Sequence, residues 1–306
     1  MSQHRSCVDR STVIADDQTR RTLLKATAGL ALGTIEYLSH SSEASALPVT
    51  TNSIRWLAFY GVHADESLLG TYDIAVLDPW FQGSIGLVAG AGTRVCSYLS
   101  LGEIRMSDPF FPFIDDAALL SENPNWQGTR RVDVRAPSWR SFVLDKIIPS
   151  VVSKGFTGLM FDTLDTAPYL ELVDPVRYHG MKAAAVGLVD TIRARWPGMT
   201  LIMNRGYALL PHVVENIDAV IAESLITFPD QQSGGFAWVD PRQMEQQLSL
   251  LKPAAHRRPP LPILSLDYWY PEDVKTIAEI YRRERDLGHH PYVATRLLDQ
   301  IVLEGR

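Results

Sequence analysis

The fold class this sequence predicts is a single-domain (β/α)8 barrel, and three observations carry the prediction. Eight short apolar runs rich in β-branched residues recur between Ile54 and Thr295. Helix-patterned segments alternate with them, the order that gives parallel βα units. Most runs end in a carboxylate, amide or tyrosine, and in such a barrel the C-terminal strand ends converge on the face where active sites lie.

The runs are Ile54–Gly61, Asp73–Trp80, Thr93–Glu103, Gly158–Asp165, Thr200–Gly206, Ala219–Leu225, Pro262–Trp269 and His290–Thr295. The connections 62–72 and 81–92 are short and hold glycine, so their helices are the least marked. From 104 to about 139 the chain reads as a long irregular loop carrying Phe110, Phe111, Phe113, Trp126 and Trp139. Such loops are usually functional; the rings form either a cleft wall able to stack on sugars or a satellite core. A helix is expected within Phe142–Val152, bent or divided at Pro149. Met181, Ala185, Leu188 and Ile192 share one helical face ahead of the stop Trp196-Pro197-Gly198. Asp240-Pro241 reads as an N-cap with proline at the first helical position, opening a helix through Leu251. Pro271 opens another, with Val274, Ile277 and Tyr281 as its buried stripe.

The start of the chain is set apart. Thr19-Arg20-Arg21-Thr22-Leu23-Leu24-Lys25 has the twin-arginine export pattern, followed by an apolar run from Ala26 to Ile35 and the small-residue cleavage pattern Ala44-Ser45-Ala46. Residues 1–46 are therefore expected to be a removed export signal, leaving 47–306 as one barrel domain in the periplasm or outside the cell. No later segment approaches the roughly 20 apolar residues of a membrane span, so no membrane contact is expected after processing. The chain carries a net charge of −6, and residues 1–46 hold five basic and five acidic side chains, so the remainder keeps that balance. Nucleic acid, which calls for a basic surface, is disfavoured as a partner. Cys7 leaves with the signal, and Cys96, lying in the third run, reads as a small buried apolar residue.

The chemistry lies at the run ends, which carry Tyr60, Asp78, Tyr98, Glu103, Asp162, Asp165, Asn204, Glu223, Asp267 and Tyr268. An acid emerging from a buried strand must be paired, hydrated or used. The bland reading pairs these acids with Arg55, Arg105, Arg205 or Arg296; ten polar groups on one face are too many for pairing alone. Acids on the fourth and sixth runs can approach each other across a barrel mouth. Two carboxyl groups flanking a glycosidic bond are what glycoside hydrolysis needs: one protonates the leaving oxygen while the other attacks the sugar or activates water.

Six segments carry a resemblance. Tyr98-Leu99-Ser100-Leu101-Gly102-Glu103, Val132-Asp133-Val134-Arg135, Gly155-Phe156-Thr157-Gly158 continuing to Phe161-Asp162-Thr163-Leu164-Asp165, Met203-Asn204-Arg205-Gly206, Ala222-Glu223-Ser224 and Leu266-Asp267-Tyr268 occur in that order. Together, over residues 54–296, they resemble the endo-α-1,4-polygalactosaminidase family of glycoside hydrolases. The resemblance implies a (β/α)8 barrel cleaving α-1,4-linked galactosamine/N-acetylgalactosamine polysaccharide without a cofactor, with Asp162 as nucleophile and Glu223 as acid/base. It implies further that Tyr60, Asp78, Tyr98, Glu103, Asp165, Asn204, Asp267 and Tyr268 line the sugar site. Thr163 stands where many relatives have Asn, which points to a different substrate preference. An acidic pocket suits an amino-sugar polymer physically, because it attracts ammonium groups and repels uronic acids.

Four readings compete with this one. A metal hydrolase would need clustered imidazole and carboxylate ligands. Of His63, His179, His212, His256, His289 and His290, none ends the first seven runs, and His289-His290 reads as a solvated pair; no metal is expected. A phosphate-binding barrel would need a glycine-rich loop late in the chain, whereas Gly83, Gly86, Gly90 and Gly92 lie early and read as turns. A non-catalytic carbohydrate-binding barrel would have no need of both Asp162 and Glu223, and a glycosidase acting on a different exopolysaccharide stays open.

Overall fold

The structure, a computed structural model, describes residues 53–304. Its strands are β1 (Trp56–Phe59), β2 (Ile74–Leu77), β3 (Arg94–Ser100), β4 (Glu103–Arg105), β5 (Leu119–Glu122), β6 (Thr129–Val132), β7 (Gly158–Asp162), β8 (Thr200–Asn204), β9 (Ala219–Glu223), β10 (Thr227–Pro229), β11 (Phe236–Trp238), β12 (Ile263–Tyr268) and β13 (His290–Ala294). The eight predicted runs become one parallel sheet in the order β1-β2-β3-β7-β8-β9-β12-β13. Trp56 Nε1 donates to the His290 carbonyl at 2.7 Å, and the Ile54 amide donates to His290 Nδ1 at 3.0 Å, drawing the first and last strands together. The (β/α)8 barrel expected from the alternation is present.

Both faces of these strands are covered, which is why they read as apolar runs rather than alternating ones. Gly158 opens β7 because a Cβ there would collide with Cys96 Sγ on one neighbouring strand and crowd Thr200 on the other. Cys96 is the buried small residue expected, and burial pushes its thiol pKa well up. The N-terminal side of the barrel is clamped by Arg193. Its guanidinium pairs with Asp218 at 2.6 Å and donates to the carbonyls of Asn216, Pro197 and Met199. Asp218 in turn accepts the Leu201 amide. A buried pair satisfied on this many sides fixes geometry.

The outer helices follow the predicted stripes with two corrections. Helix Met181–Arg195 buries Met181, Ala185, Leu188, Val189 and Ile192, and each of these side chains larger than alanine contributes about 1.5–3 kcal/mol. Helix Pro241–Leu250 starts at the Asp240 cap as read. The helix expected to open at Pro271 starts instead at Val274, because Asp273 caps it by accepting the Thr276 amide. Val274 is thereby turned outward, and Ile277, Ile280, Tyr281 and Glu284 form the buried stripe. Around Pro149 the chain stays helical but the α-helix is interrupted: helix Pro137–Phe142 passes through a π turn, Val143–Ile147, into helix Ile148–Ser153. A π turn absorbs the hydrogen bond that proline cannot make.

The segment from 104 to 139 is more ordered than expected. It builds a three-stranded antiparallel sheet, β4-β6-β5, beside the barrel. Its aromatic residues split: Trp139 is wholly buried, with Nε1 donating to the Leu101 carbonyl at 3.1 Å. Phe110 sits between Trp80 and Phe142, the satellite core, while Phe113 stays exposed. A second insertion, the hairpin β10–β11, was not foreseen. Among the described residues no helix is long and apolar enough to cross a membrane. The export signal expected in residues 1–46 lies outside the described residues.

Candidate active site

Three adjacent strands deliver the central side chains by one backbone device. Asp162 ends β7, Asn204 ends β8 and Glu223 ends β9, and the residue after each is left-handed: Thr163 at φ 60°, Arg205 at φ 53° and Ser224 at φ 56°. Non-glycine residues rarely adopt this conformation, and they concentrate where function fixes the backbone. Each turns the chain sharply off its strand, leaving the last side chain at the mouth.

Those side chains form one network. Tyr98 OH donates to Asp162 Oδ2 at 2.8 Å. Asn204 Nδ2 donates to Asp162 Oδ1 at 3.1 Å and to Glu223 Oε2 at 2.8 Å, bridging the two acids. Tyr268 OH donates a short bond to Glu223 Oε1. Tyr60 borders the group, its ring edge-on to Tyr98 at 5.1 Å between centroids. Its amide is anchored at 2.6 Å on the carbonyl of Leu298, another left-handed residue. Asp162 and Glu223 are half-buried, Asn204 and Tyr98 buried.

Asp165 is open to solvent yet ringed by protein, as befits a group low in a cleft. Desolvation by those surroundings raises its pKa; the Arg205 charge opposes this, and the charges of Asp162 and Glu223 add to it. The mouth is thus an acidic depression, with the Arg205 charge acting on Asp165. Arg205 forms no ion pair with the acids: its guanidinium donates to the Glu223 backbone carbonyl at 3.3 Å and lies over Tyr207. Arg55 donates to the Thr71 carbonyl, and Arg296 to those of Asp230 and Gly235. Among the described residues no ion pair involves Asp162 or Glu223.

Three of the ten expected residues are held by other contacts. Asp78 accepts the Trp80 amide at 2.8 Å, closing a turn whose Pro79 carbonyl holds Lys154. Glu103 is buried where the small sheet meets the barrel: one oxygen accepts from Asn123 at 2.8 Å and Thr166 at 2.7 Å. Burial pushes its carboxyl above the usual range, more than those hydrogen bonds and the Arg131 charge pull it down. Asp267 is fully buried, accepting the amides of Ile226 and Thr227. It precedes Tyr268 on β12, and successive strand side chains point to opposite faces, so it faces away from the mouth. Glu103 and Asp267 serve the scaffold here, not a sugar-facing wall.

Sequence reasoning missed how the turns are held. Thr163, the position marked by the resemblance, uses its hydroxyl to hold the turn. Its Oγ1 receives the Gly102 amide at 2.9 Å, pairs with Ser100 Oγ at 2.8 Å and donates to the Asp162 carbonyl. Gly102 is required there, since a Cβ would collide with the Thr163 carbonyl oxygen. Gln247, from helix Pro241–Leu250, donates to the Ser224 carbonyl at 3.0 Å, and nothing in the sequence marks it. The motif residue Asp133 pairs with Arg135 at 2.8 Å, and Arg135 also holds the carbonyls of Arg177 and His179. His289 and His290 are not a solvated pair: His289 is buried against Glu284 at 2.7 Å, and the half-buried His290 receives the Ile54 amide. Among the described residues no group of three or more His, Cys, Asp or Glu side chains is placed to hold a metal ion.

Known proteins share this architecture. The glycoside hydrolase domain of PelA from Pseudomonas aeruginosa superposes with a TM-score of 0.74 at 25% identity, covering 83% of this chain and 99% of that domain. Ega3 from Aspergillus fumigatus, solved in complex with galactosamine, shares the fold at a TM-score of 0.64 and 15% identity, over 87% of this chain and 99% of that one. An uncharacterized protein of Deinococcus radiodurans is 24% identical over 253 residues, 76% of each chain. Residues 39–305 match the sequence model of Glycoside-hydrolase family GH114. With a parallel eight-stranded barrel, two carboxyl groups facing one amide at its mouth and a match over residues 39–305, the chain belongs to glycoside-hydrolase family GH114.

Proposed function

We propose that this protein cleaves α-1,4-linked galactosamine/N-acetylgalactosamine polysaccharide by a retaining mechanism, with Asp162 as nucleophile and Glu223 as acid/base. The observation that carries this reading is the Asn204 bridge. One amide nitrogen reaches Asp162 at 3.1 Å and Glu223 at 2.8 Å, so with its two N–H bonds about 120° apart the contacted oxygens lie ~5 Å from each other. Retaining glycosidases hold their carboxyl groups about 5–5.5 Å apart, whereas inverting enzymes leave about 6.5–9.5 Å for a water.

In the first step a carboxylate oxygen of Asp162 attacks the anomeric carbon as the glycosidic C–O bond breaks, and Glu223 gives its proton to the departing oxygen. In the second, Glu223 takes a proton from water, whose oxygen displaces Asp162 from the anomeric carbon. Tyr98 and Asn204 hold Asp162 in one orientation, and Tyr268 and Asn204 do the same for Glu223, so little reorganisation is needed as charge moves. Asp165 supplies further negative charge, which draws an ammonium-bearing sugar into the depression. The galactosamine bound in the Ega3 structure supports the substrate class. Residues 1–46 are proposed as a twin-arginine export signal, to be checked by N-terminal sequencing of the mature protein for a start at Leu47.

Mass spectrometry of soluble products after incubation with partially deacetylated α-1,4-galactosaminogalactan tests the reading, beside the Asp162→Asn protein. Oligosaccharides from the parent alone are expected. Binding without products would replace it with a non-catalytic carbohydrate-binding barrel, and products only from other polymers would reassign the substrate.

A further inference from the structure

We infer that Asp267 is a positioning residue for Glu223 and Tyr268, clamping the chain beyond Glu223 to the strand that carries Tyr268 by using one carboxyl oxygen as acceptor and the other as donor. This rests on the assignment of Glu223 made above.

The clamp has three rungs. The Ser224 amide donates to the Leu266 carbonyl at 2.8 Å. Asp267 Oδ1 accepts the Ile226 amide at 2.8 Å and the Thr227 amide at 2.7 Å. Thr227 Oγ1 accepts the Tyr268 amide at 3.3 Å. Between Glu223 and the clamped amides lies the left-handed Ser224, a conformation that persists only when its surroundings enforce it. On the mouth side Tyr268 OH meets Glu223, so the two strands are tied both above and behind the acid.

The second oxygen of Asp267 explains why an acid stands here. Asp267 Oδ2 and Glu284 Oε1 are both buried without a hydrogen-bond donor, and the two carboxyl groups adjoin each other. Two carboxylates in such contact cannot both ionise. A proton on Oδ2 donated to Glu284 satisfies both atoms. The remaining groups around Glu284 are His289 Nδ1 at 2.7 Å, from the turn before β13, and the Ser265 hydroxyl of β12; Arg283 acts on it from its own helix. Burial and the nearby Glu284 drive the Asp267 carboxyl far above the usual carboxylate range. A neutral Asp267 also places no negative charge behind Glu223, which itself becomes anionic once its proton leaves.

The test compares Asp267→Ala and Asp267→Asn with the parent, well below each protein's unfolding transition. Alanine leaves two amides without an acceptor, and kcat on the galactosamine polymer is expected to fall ~10²-fold with KM changed less than about threefold, the pattern of a misplaced catalytic group. Asparagine keeps the acceptor and replaces O–H with N–H, so it should restore kcat to within about threefold and leave the pH–rate profile in place. Amide hydrogen exchange at Ile226 and Thr227 should accelerate in the alanine variant and stay slow in the asparagine variant. Should alanine fail to fold, Thr227→Val, which removes only the acceptor for the Tyr268 amide, is expected to lower kcat about fivefold at unchanged KM. Parental kcat in a folded Asp267→Ala protein would overturn the inference. So would an asparagine variant as impaired as alanine, which would mean that the negative charge itself is used. If the parent hydrolyses nothing, the assignment of Glu223 fails instead, and slow exchange at Ile226 and Thr227 in Asp267→Ala would then overturn the clamp as well.

Discussion

Replacing Glu284 by glutamine should change how stability depends on pH, in a direction the buried contact dictates. Glu284 is fully buried, and its carboxyl meets His289 Nδ1 at 2.7 Å. Two buried partners of this kind can be an ion pair or a neutral pair. Burial raises Glu284 from 4.5 to about 7 and lowers His289 from 6.5 to about 4, so the pair is neutral through the mildly acid range. Unfolding at pH 5.5 hands the proton from the carboxylic acid to the imidazole, with no net exchange with solvent. The raised acid contributes stability that is complete below pH 4.5 and lost as pH rises to about 7. The lowered histidine contributes stability that is complete above pH 6.5 and lost as pH falls to about 4. Each effect amounts to ~3 kcal/mol, and in the parent they cancel. Glu284→Gln removes the first alone, so its stability relative to the parent should rise by ~3 kcal/mol between pH 4.5 and 7. His289→Gln should gain on the parent by a similar amount in the opposite direction, as pH falls from 6.5 to 4. Urea unfolding at four pH values, with a common m value, gives the difference curves. A Glu284→Gln curve that falls with rising pH would refute the reasoning, because that is the signature of a buried Glu284–His289 ion pair.

Asp162→Asn and Glu223→Gln should each lower turnover at least ~10³-fold while far-ultraviolet circular dichroism and Tm stay near the parental values; near-normal activity in either would remove that residue from its role. Tyr98→Phe removes one donor to Asp162 and should reduce kcat ~10-fold to 10²-fold, at a stability cost of about 1 kcal/mol by denaturant titration. Gly102→Ala sets a Cβ against the Thr163 carbonyl and should cost about 2 kcal/mol, with kcat falling because the Asp162–Thr163 turn must shift. Trp139→Ala empties a fully buried site and strands the Leu101 carbonyl, so thermal unfolding should show a loss of about 3–5 kcal/mol, with the kcat of the remaining folded protein little altered.

The barrel was legible in the sequence because a parallel strand covered on both faces must be apolar along its length, and such runs spaced by helix-length segments leave few other architectures. Asp162, Asn204 and Glu223 were legible for a related reason: polar groups at the ends of apolar runs stand out against them, whereas the family resemblance supplied Tyr98 and Tyr268. What the sequence could not separate was which strand-end polar groups face the mouth. Asp267 and Tyr268 are neighbours in the chain, yet one closes a buried clamp and the other touches Glu223. That choice depends on strand pairing and shear, since a shift of one residue exchanges the two faces. The neutral Glu284–His289 pair was hidden for the same reason. It joins a helix to the turn before the last strand, and its protonation follows from burial, which exists only once the helix packs. The sequence by itself determined the barrel, its apolar strands and the acid-rich rim. Tertiary packing alone decided which of those acids meet at the mouth and which are buried behind it, because both outcomes depend on distances between residues far apart in the chain.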